Sequence, residues 1–120
     1  MSVPNIYSLK GRRDPRRFAY KYAVILLLLI LLGYLEHLVN PNATANNLFE
    51  SFIVMVLFVV HPFFCFTLFA VTVQRFHDFN KSGWWSLLLF IPLMPLFLPF
   101  YLYFKKGDVG ANQYGPDPLD

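Results

Sequence analysis

The sequence has little charge and almost no cysteine for its length. Only 14% of its 120 residues are charged, whereas 57% are hydrophobic. A domain of this size buries only about two thirds of its surface, so a water-soluble fold would leave much apolar surface in contact with water. The single cysteine, Cys65, excludes an internal disulfide. The composition therefore argues against an ordinary soluble domain and favours a protein embedded in a lipid bilayer.

Three long apolar segments predict an all-α integral membrane protein with a single domain. The segments cover residues 18–39, 48–73 and 84–104, and the second could continue as a helix through Phe79. At 1.5 Å per residue the first reaches roughly 33 Å and the third roughly 31 Å, enough to span the hydrocarbon layer. The polar pieces around them are an arm, an external loop, a hinge and a tail, at residues 1–17, 40–47, 74–83 and 105–120.

The third segment contains three prolines at helical spacing, Pro92, Pro95 and Pro99. Each proline removes a backbone hydrogen bond, so the segment is either a kinked helix that spans the membrane or a re-entrant hairpin. We favour the span, because its length is sufficient.

The distribution of basic residues predicts the orientation. Six of the ten Lys and Arg residues lie within residues 10–21, and the loop at residues 40–47 has none. Short cytoplasmic pieces are enriched in Lys and Arg, so we expect a multi-pass protein of the bacterial inner membrane with a cytoplasmic N-terminus. The side of the tail stays open, because alternation places it outside whereas Lys105 and Lys106 favour the inside. A cleaved signal peptide ending near Ala43-Thr44-Ala45 is disfavoured, because the first apolar segment is too long.

Two groups of side chains suggest contacts within and beside the membrane. Arg12, Arg13, Arg16 and Arg17 would lie beside anionic headgroups, so we predict that they bind membrane lipids. Nucleic acid is not an expected partner, because no nucleic-acid fold or aromatic platform accompanies these residues. In the second segment His61, Cys65 and Thr72 form a polar stripe at helical spacing. We expect the stripe to face other helices through hydrogen bonds, and its alternative is a translocation path.

The hinge concentrates hydrogen-bonding groups. Arg75 and Asp78 are three residues apart and can pair on one helical face, and His77 adjoins Asp78. An acid-base or metal role is the alternative to a structural one, but no nucleophile or third metal ligand accompanies this pair. A cation site at Asp108, Asn112 and Asp117 in the tail lacks the spacing of an EF-hand loop. We therefore predict no catalytic residue, no metal and no cofactor.

Three pieces of the chain together resemble a known family. They are Gly11-Arg12-Arg13 with Arg16-Arg17-Phe18-x-Tyr20, then Arg75-x-His77-Asp78 with Ser82-Gly83-Trp84-Trp85, and Gly107-x-x-Gly110-x-Asn112-x-Tyr114-Gly115-Pro116-Asp117-Pro118. This set resembles the small bacterial inner-membrane proteins catalogued as domain of unknown function 805. The resemblance implies a few helices in the inner membrane and no established activity. It directs attention to a candidate functional cluster of Arg75, His77, Asp78, Asn112, Tyr114 and Asp117, which can converge only if the tail is cytoplasmic.

The functional hypothesis is a noncatalytic interaction or envelope-associated component. A unit of three helices leaves much of its surface facing lipid, so self-association into a homo-oligomer or docking to a larger membrane protein is expected. The alternative is a subunit of an oligomeric transporter or channel, since one chain of 120 residues is too small to transport alone.

Overall fold

The computed structural model describes residues 9–42 and 47–119. Its elements are α1 (Pro15–Val39), α2 (Leu48–Asp78), a 3₁₀ helix (Gly83–Phe90) and α3 (Met94–Phe104). The only β-type pairing in these ranges is an isolated bridge between Asn112 and Gly115. The Ala43-Thr44-Ala45 step lies outside the described residues.

The helices α1 and α2 are long and apolar enough to cross a membrane, with 25 and 31 residues. Asp14 caps α1 by accepting a hydrogen bond from the Arg17 N–H, and Pro15 occupies the first turn, so α1 begins three residues before the predicted segment. Asn47 caps α2 in the same way through the Glu50 N–H. In α2 the helix continues through Pro62.

The end of α2 differs from the predicted hinge, because residues 74–78 are helical. The helix ends where Asn80 adopts a left-handed conformation, with φ of 60°. The Asn80 N–H then donates to the His77 carbonyl at 3.1 Å, and the Lys81 N–H donates to the Phe76 carbonyl at 3.0 Å. These two bonds form the Schellman pattern that commonly ends helices. Only residues 79–82 remain as a connecting turn.

The third apolar segment is not the continuous helix that we favoured from its length. It forms the 3₁₀ helix, turns at residues 91–93 with Leu93 at φ of 69°, and returns as α3. The 11 residues of α3 reach only about 17 Å, too short to cross a bilayer. The 3₁₀ helix starts beside His77, and α3 ends beside Arg75, so the segment is a hairpin whose two ends meet near the end of α2. Residues 83–104 are called the hairpin below.

The core lies at the end of the molecule where α1 begins and α2 ends. Phe18 and Tyr22 of α1 pack there with Val71 and Phe76 of α2 and with Leu102 of α3. The Tyr22 hydroxyl donates to the Pro95 carbonyl at 2.7 Å and so attaches the hairpin to α1. Beyond this core, large side chains of both long helices are exposed, as expected where lipid replaces protein contacts.

Candidate functional site

The arm, the end of α2 and the tail meet in a buried group of polar side chains. Its centre is Asp78, which lies between Arg12 and Arg75. The side chains of all three residues are between 0% and 4% exposed. These three residues, with His77, Asn112 and Tyr114, are called the polar cluster below. Their convergence places the arm and the tail at the same end of the molecule.

Arg12 uses all five of its N–H groups. Its Nε donates to Asp78 Oδ1 at 3.2 Å, and Nη2 donates to the Asp78 and Asp108 carbonyls at 3.3 and 2.7 Å. Nη1 donates to the Gly110 carbonyl and, at 3.2 Å, to the Gly115 carbonyl. Because guanidinium has five donors and no acceptor, Arg12 is saturated. The side chain therefore fastens the tail to the end of α2.

Arg75 fastens the hairpin in the same way. Its Nε donates to the Leu102 carbonyl at 2.7 Å and its Nη2 to the Lys105 carbonyl, so it satisfies backbone acceptors at the end of α3. Its Nη1 donates to Asp78 Oδ2 and to the Arg13 carbonyl. Unsatisfied carbonyls at a helix C-terminus carry partial negative charge, so the cation is stabilised there in addition to its carboxylate partner.

Arg13 makes a second attachment of the arm to α2. Its backbone N–H donates to the Gln74 carbonyl at 3.1 Å, and its Nε donates to Gln74 Oε1 at 2.9 Å. Burial lowers the pKa of Arg13, while the neighbouring Asp14 carboxylate opposes that change and Arg17 adds to it. A guanidinium remains charged in proteins even so. The arm is thus fixed by two buried cations rather than one.

His77 and Tyr114 make a further attachment of the tail to α2. Their rings stack with centroids 3.8 Å apart and planes within 3°. His77 Nδ1 lies 3.1 Å from the Gly11 carbonyl, which can only accept, so the proton of the neutral ring belongs on Nδ1. Asn112 Nδ2 donates to the His77 carbonyl at 2.9 Å, and the Tyr114 N–H donates to Asn112 Oδ1.

Two glycines allow the backbone to approach the cluster closely. A Cβ on Gly107 would overlap the Asp78 carboxylate, so any larger residue would displace the tail or the carboxylate. A Cβ on Gly83 would lie 2.8 Å from Val73 Cγ1 and 3.4 Å from His77 Nε2. Both glycines belong to the pieces that carry the family resemblance, and their contacts give a steric reason for them.

Asp117 orders the turn of the tail. Its carboxylate accepts hydrogen bonds from backbone N–H groups and not from the buried arginines. Its two carboxylate oxygens accept the Gly110 and Leu119 N–H groups at 2.9 and 3.0 Å. The bond from Leu119, followed by that from Gly110, holds the pKa of Asp117 below its ordinary value. Asp108 and Asn112 bond to each other, not to Asp117. The tail carboxylates thus serve turn geometry, and the three side chains do not form a common cation site.

The predicted headgroup-binding arginines separate into two pairs. Arg16 and Arg17 are exposed and remain able to contact headgroups. Arg12 and Arg13 are buried, with exposures of 3% and 1%, and the prediction that they face lipid is therefore wrong for this structure. The reason is their pairing with Asp78 and Gln74, which lie more than 60 residues away in the chain.

The three residues of the predicted polar stripe differ in burial. Thr72 is buried and donates to the Leu68 carbonyl of its own helix at 2.8 Å, whereas Cys65 is exposed. His61 Nδ1 lies 3.9 Å from Glu36 Oε1 of α1, a contact that is an ion pair only when the imidazole is protonated. The expectation that all three side chains face other helices stays a prediction for Cys65, whose exposed side chain would need a helix of another chain. Glu36, which lies 25 residues before His61, is the partner that α1 supplies to it.

The chemistry open to the polar cluster follows from this geometry. Its carboxylate and arginines are buried and engaged with one another and with backbone carbonyls, so their direct effect is attachment of chain segments. Within the described ranges, no group of three or more His, Cys, Asp or Glu side chains could share a metal ion. Sequence reasoning identified Arg75, His77, Asp78, Asn112, Tyr114 and Asp117 but missed Arg12 and Gln74 as their partners.

Comparison with known proteins agrees with a membrane protein of this kind. The sequence pattern of the family described as "Protein of unknown function (DUF805)" matches residues 6–116. Inner membrane protein YhaH of Escherichia coli K12 is 25% identical over 117 residues, which cover 97% of this chain and 91% of YhaH. Inner membrane protein YhaI of the same strain is 37% identical over 49 residues, 41% of this chain and 42% of YhaI. No solved structure matches the chain significantly.

Proposed function

Since the chain belongs to the DUF805 family of bacterial inner-membrane proteins of unknown function, we propose that it is a noncatalytic interaction component of that membrane. Its structural centre is the polar end formed by the arm, the end of α2 and the tail. The observation that carries this proposal is the saturation of Arg12, whose five donors hold these pieces together. Groups engaged in this way stabilise a shape and are not free to bind or transform a substrate.

The proposed topology has two spans, α1 and α2, with the arm and the tail in the cytoplasm. All ten Lys and Arg residues of the chain lie in the arm, the first turns of α1, the end of α2, the turn that follows it or the start of the tail. Cytoplasmic pieces are enriched in these residues, which supports a cytoplasmic polar end. The hairpin then enters the membrane and returns to the same side, and the basic Lys105 and Lys106 no longer conflict with the orientation.

The proposed contacts inside the membrane use the halves of α1 and α2 that lie beyond the core. Leu27, Ile30 and Leu31 of α1 and Phe58 and Val59 of α2 are all exposed. Lipid can cover these side chains, and so can helices of a second copy or of a larger membrane protein. We therefore propose that the polar end fixes the geometry with which these helix faces meet their neighbours.

Arg75→Ala tests this function. The substitution leaves Asp78 with one fewer partner and frees the end of the hairpin, so it should lower the thermal midpoint in mild detergent. It should also reduce the neighbours captured in the native membrane by a photoreactive residue at Leu31. Arg16→Ala is the matched control, because Arg16 is exposed. Full recovery of the same neighbours by a folded but destabilised Arg75→Ala protein would count against the proposal.

His77→Ala separates an interaction role from a catalytic one. Because His77 contributes a ring stack and a hydrogen bond, its loss should alter stability and the captured neighbours together. A variant with unchanged stability and neighbours that nevertheless abolishes the cellular phenotype of a deletion strain would favour catalysis instead.

The alternative, a subunit of an oligomeric transporter or channel, finds support in the contact between Glu36 and His61. Ionisable groups at membrane depth commonly mark ion or proton pathways. Proton flux into liposomes that is abolished by Glu36→Gln but not by the neighbouring Tyr34→Phe would favour this alternative. Absence of proton flux in both the unmodified protein and the Tyr34→Phe variant would leave the interaction role in place.

A further inference from the structure

We propose that the hairpin and the end of α2 form a binding site for one acyl chain of an anionic phospholipid, with Lys81 and Lys105 holding its phosphate. The site is a cleft of 450 Å³ between the 3₁₀ helix, α3 and the end of α2. This size is within the usual range of small-molecule sites. The assignment is independent of whether the protein is catalytic and concerns a surface outside the polar cluster.

The interior of the cleft matches a hydrocarbon chain. Phe76, Phe79 and Leu98 form a buried floor, and Trp85 and Phe97 form more exposed walls. The Phe79 and Tyr101 rings meet edge to face, with centroids 6.5 Å apart. Such a surface offers dispersion contacts and few hydrogen bonds, so it suits an alkyl chain better than a polar metabolite.

The rim of the cleft carries positive charge at the polar end of the molecule. Lys81 lines the cleft directly, and Lys105 Nζ lies 5.2 Å from the centroid of the Phe79 ring and 5.8 Å from that of Tyr101. None of the described residues that line the cleft is acidic. A chain in the cleft would therefore bring its headgroup to two ammonium groups, which selects an anionic phospholipid over a zwitterionic one.

Both lysines also have a structural explanation that the experiment must separate from binding. Lys81 follows the C-terminus of α2 and Lys105 caps that of α3, where cations interact favourably with the helix dipole. If they act only on the dipole, neutral substitutions lower stability and leave lipid preference unchanged. If they hold a headgroup, the same substitutions remove the preference.

Quenching of Trp85 by brominated lipids measures occupancy of the cleft. The chain has two tryptophans, so Trp84→Phe leaves Trp85, a lining residue, as the reporter. The protein is reconstituted in phosphatidylcholine nanodiscs, and either brominated phosphatidylglycerol or brominated phosphatidylcholine is added in steps. We expect brominated phosphatidylglycerol to reach half-maximal quenching at a several-fold lower mole fraction than brominated phosphatidylcholine. Each lysine should contribute up to about fivefold to this preference.

Charge variants make the test specific to this cleft. In the double variant Lys81→Gln with Lys105→Gln, the ratio of the two half-maximal mole fractions should fall close to one. The double variant Lys81→Arg with Lys105→Arg should retain most of the preference for phosphatidylglycerol. The matched control is Lys21→Gln with Lys106→Gln, which removes the same charge from the same end of the molecule without touching the cleft. Thermal midpoints of all variants establish that they fold.

Four results would overturn the proposal, in addition to a lipid preference that persists in Lys81→Gln with Lys105→Gln. They are equal quenching by the two lipids in the starting protein, equal loss of preference in the two Lys→Gln pairs, quenching by neither lipid because protein covers the cleft, and displacement of the lipid by glycerol phosphate alone. The last would mean that the site recognises a free phosphate and not a phospholipid chain. Persistence of preference in Lys81→Gln with Lys105→Gln likewise excludes the assigned role of these lysines.

Discussion

The two halves of α2 have opposite surroundings although they belong to one helix. None of residues 48–66 is buried, whereas every one of residues 70–79 is buried. The first half is covered with phenylalanine and valine and has few protein contacts. The second half carries Gln74, Arg75 and Asp78 and is enclosed by the arm, the tail and the hairpin. In this helix the buried half therefore carries the arginine and the aspartate, and the exposed half is largely apolar.

This contrast follows from the solvent that surrounds each half. In hydrocarbon an apolar side chain gains little by packing against protein, so the exposed half needs no internal partners. At the polar end, arginine and aspartate lose water and need one another as well as backbone carbonyls. The comparison predicts that similar substitutions have large effects at the polar end and small effects in the exposed half.

Asp78→Ala should have the largest effect. It leaves Arg12 and Arg75 buried without their carboxylate, a loss expected to cost about 3–5 kcal/mol of the free energy of unfolding. Glu36→Ala removes a carboxylate of α1 whose contact with His61, in the exposed half of α2, is 3.9 Å long, and it should cost about 1 kcal/mol or less. Reversible unfolding in mixed detergent measures both. Equal losses of unfolding free energy in the two variants would contradict the contrast between the polar end and the exposed helices.

Gly107→Ala should have the next largest effect. The added methyl group would overlap the Asp78 carboxylate, and such overpacking costs about 1–3 kcal/mol. Gly33→Ala in α1 has nothing within 4 Å of the new methyl group and should be neutral or stabilise by about 0.5–1 kcal/mol. Thermal midpoints in detergent compare the pair. A Gly107→Ala protein as stable as Gly33→Ala would show that the tail does not pack on Asp78.

Tyr114→Ala should have a moderate effect confined to the tail. It removes the ring stacked on His77, worth about 0.5–1.5 kcal/mol beyond the area buried, whereas Tyr114→Phe keeps the stack. Limited proteolysis after reconstitution should cut the tail faster in the alanine variant only. The same rate in wild type and both variants would exclude the stack as an attachment.

Asp117→Asn should have the smallest effect, visible only in acid. Because the folded pKa of Asp117 is lowered, its contribution to stability is present above the unfolded pKa and is lost as the pH falls through the folded value. Cleavage of the tail by an acid protease should therefore accelerate below about pH 4 in the wild type. The asparagine variant should lack this component. Identical pH profiles would mean that Asp117 does not order the tail.

Much of the architecture could be predicted because it depends on local sequence. The long apolar runs determine α1 and α2, and Asn40 ends α1 beside Pro41 as expected. The start at Pro15 was missed, although the Asp14-Pro15 pair is an ordinary capping signal. The helical continuation to Asp78 was an open alternative to the hinge, and it occurs because the left-handed Asn80 ends the helix only after the charged residues.

The hairpin and the buried arginines could not be predicted from local sequence. A largely apolar segment of 21 residues is compatible with a span or a hairpin. The choice is made by Leu93 and by the distant Arg75, which donates to the carbonyls of Leu102 and Lys105. Arg12 resembles any basic residue beside a membrane until Asp78, 66 residues later, is placed next to it. Contacts at such separations leave no periodic signal in the sequence.

The location of the tail tests the central claim, that the arm and the tail form one structure on one side of the membrane. A cysteine at Leu119 and another at Asn42, each in a Cys65→Ser background, are exposed positions for an impermeant thiol reagent applied to intact cells. The account predicts labelling at residue 42 and none at residue 119 until the inner membrane is opened. Labelling of residue 119 in intact cells, with the arm still protected, would contradict it.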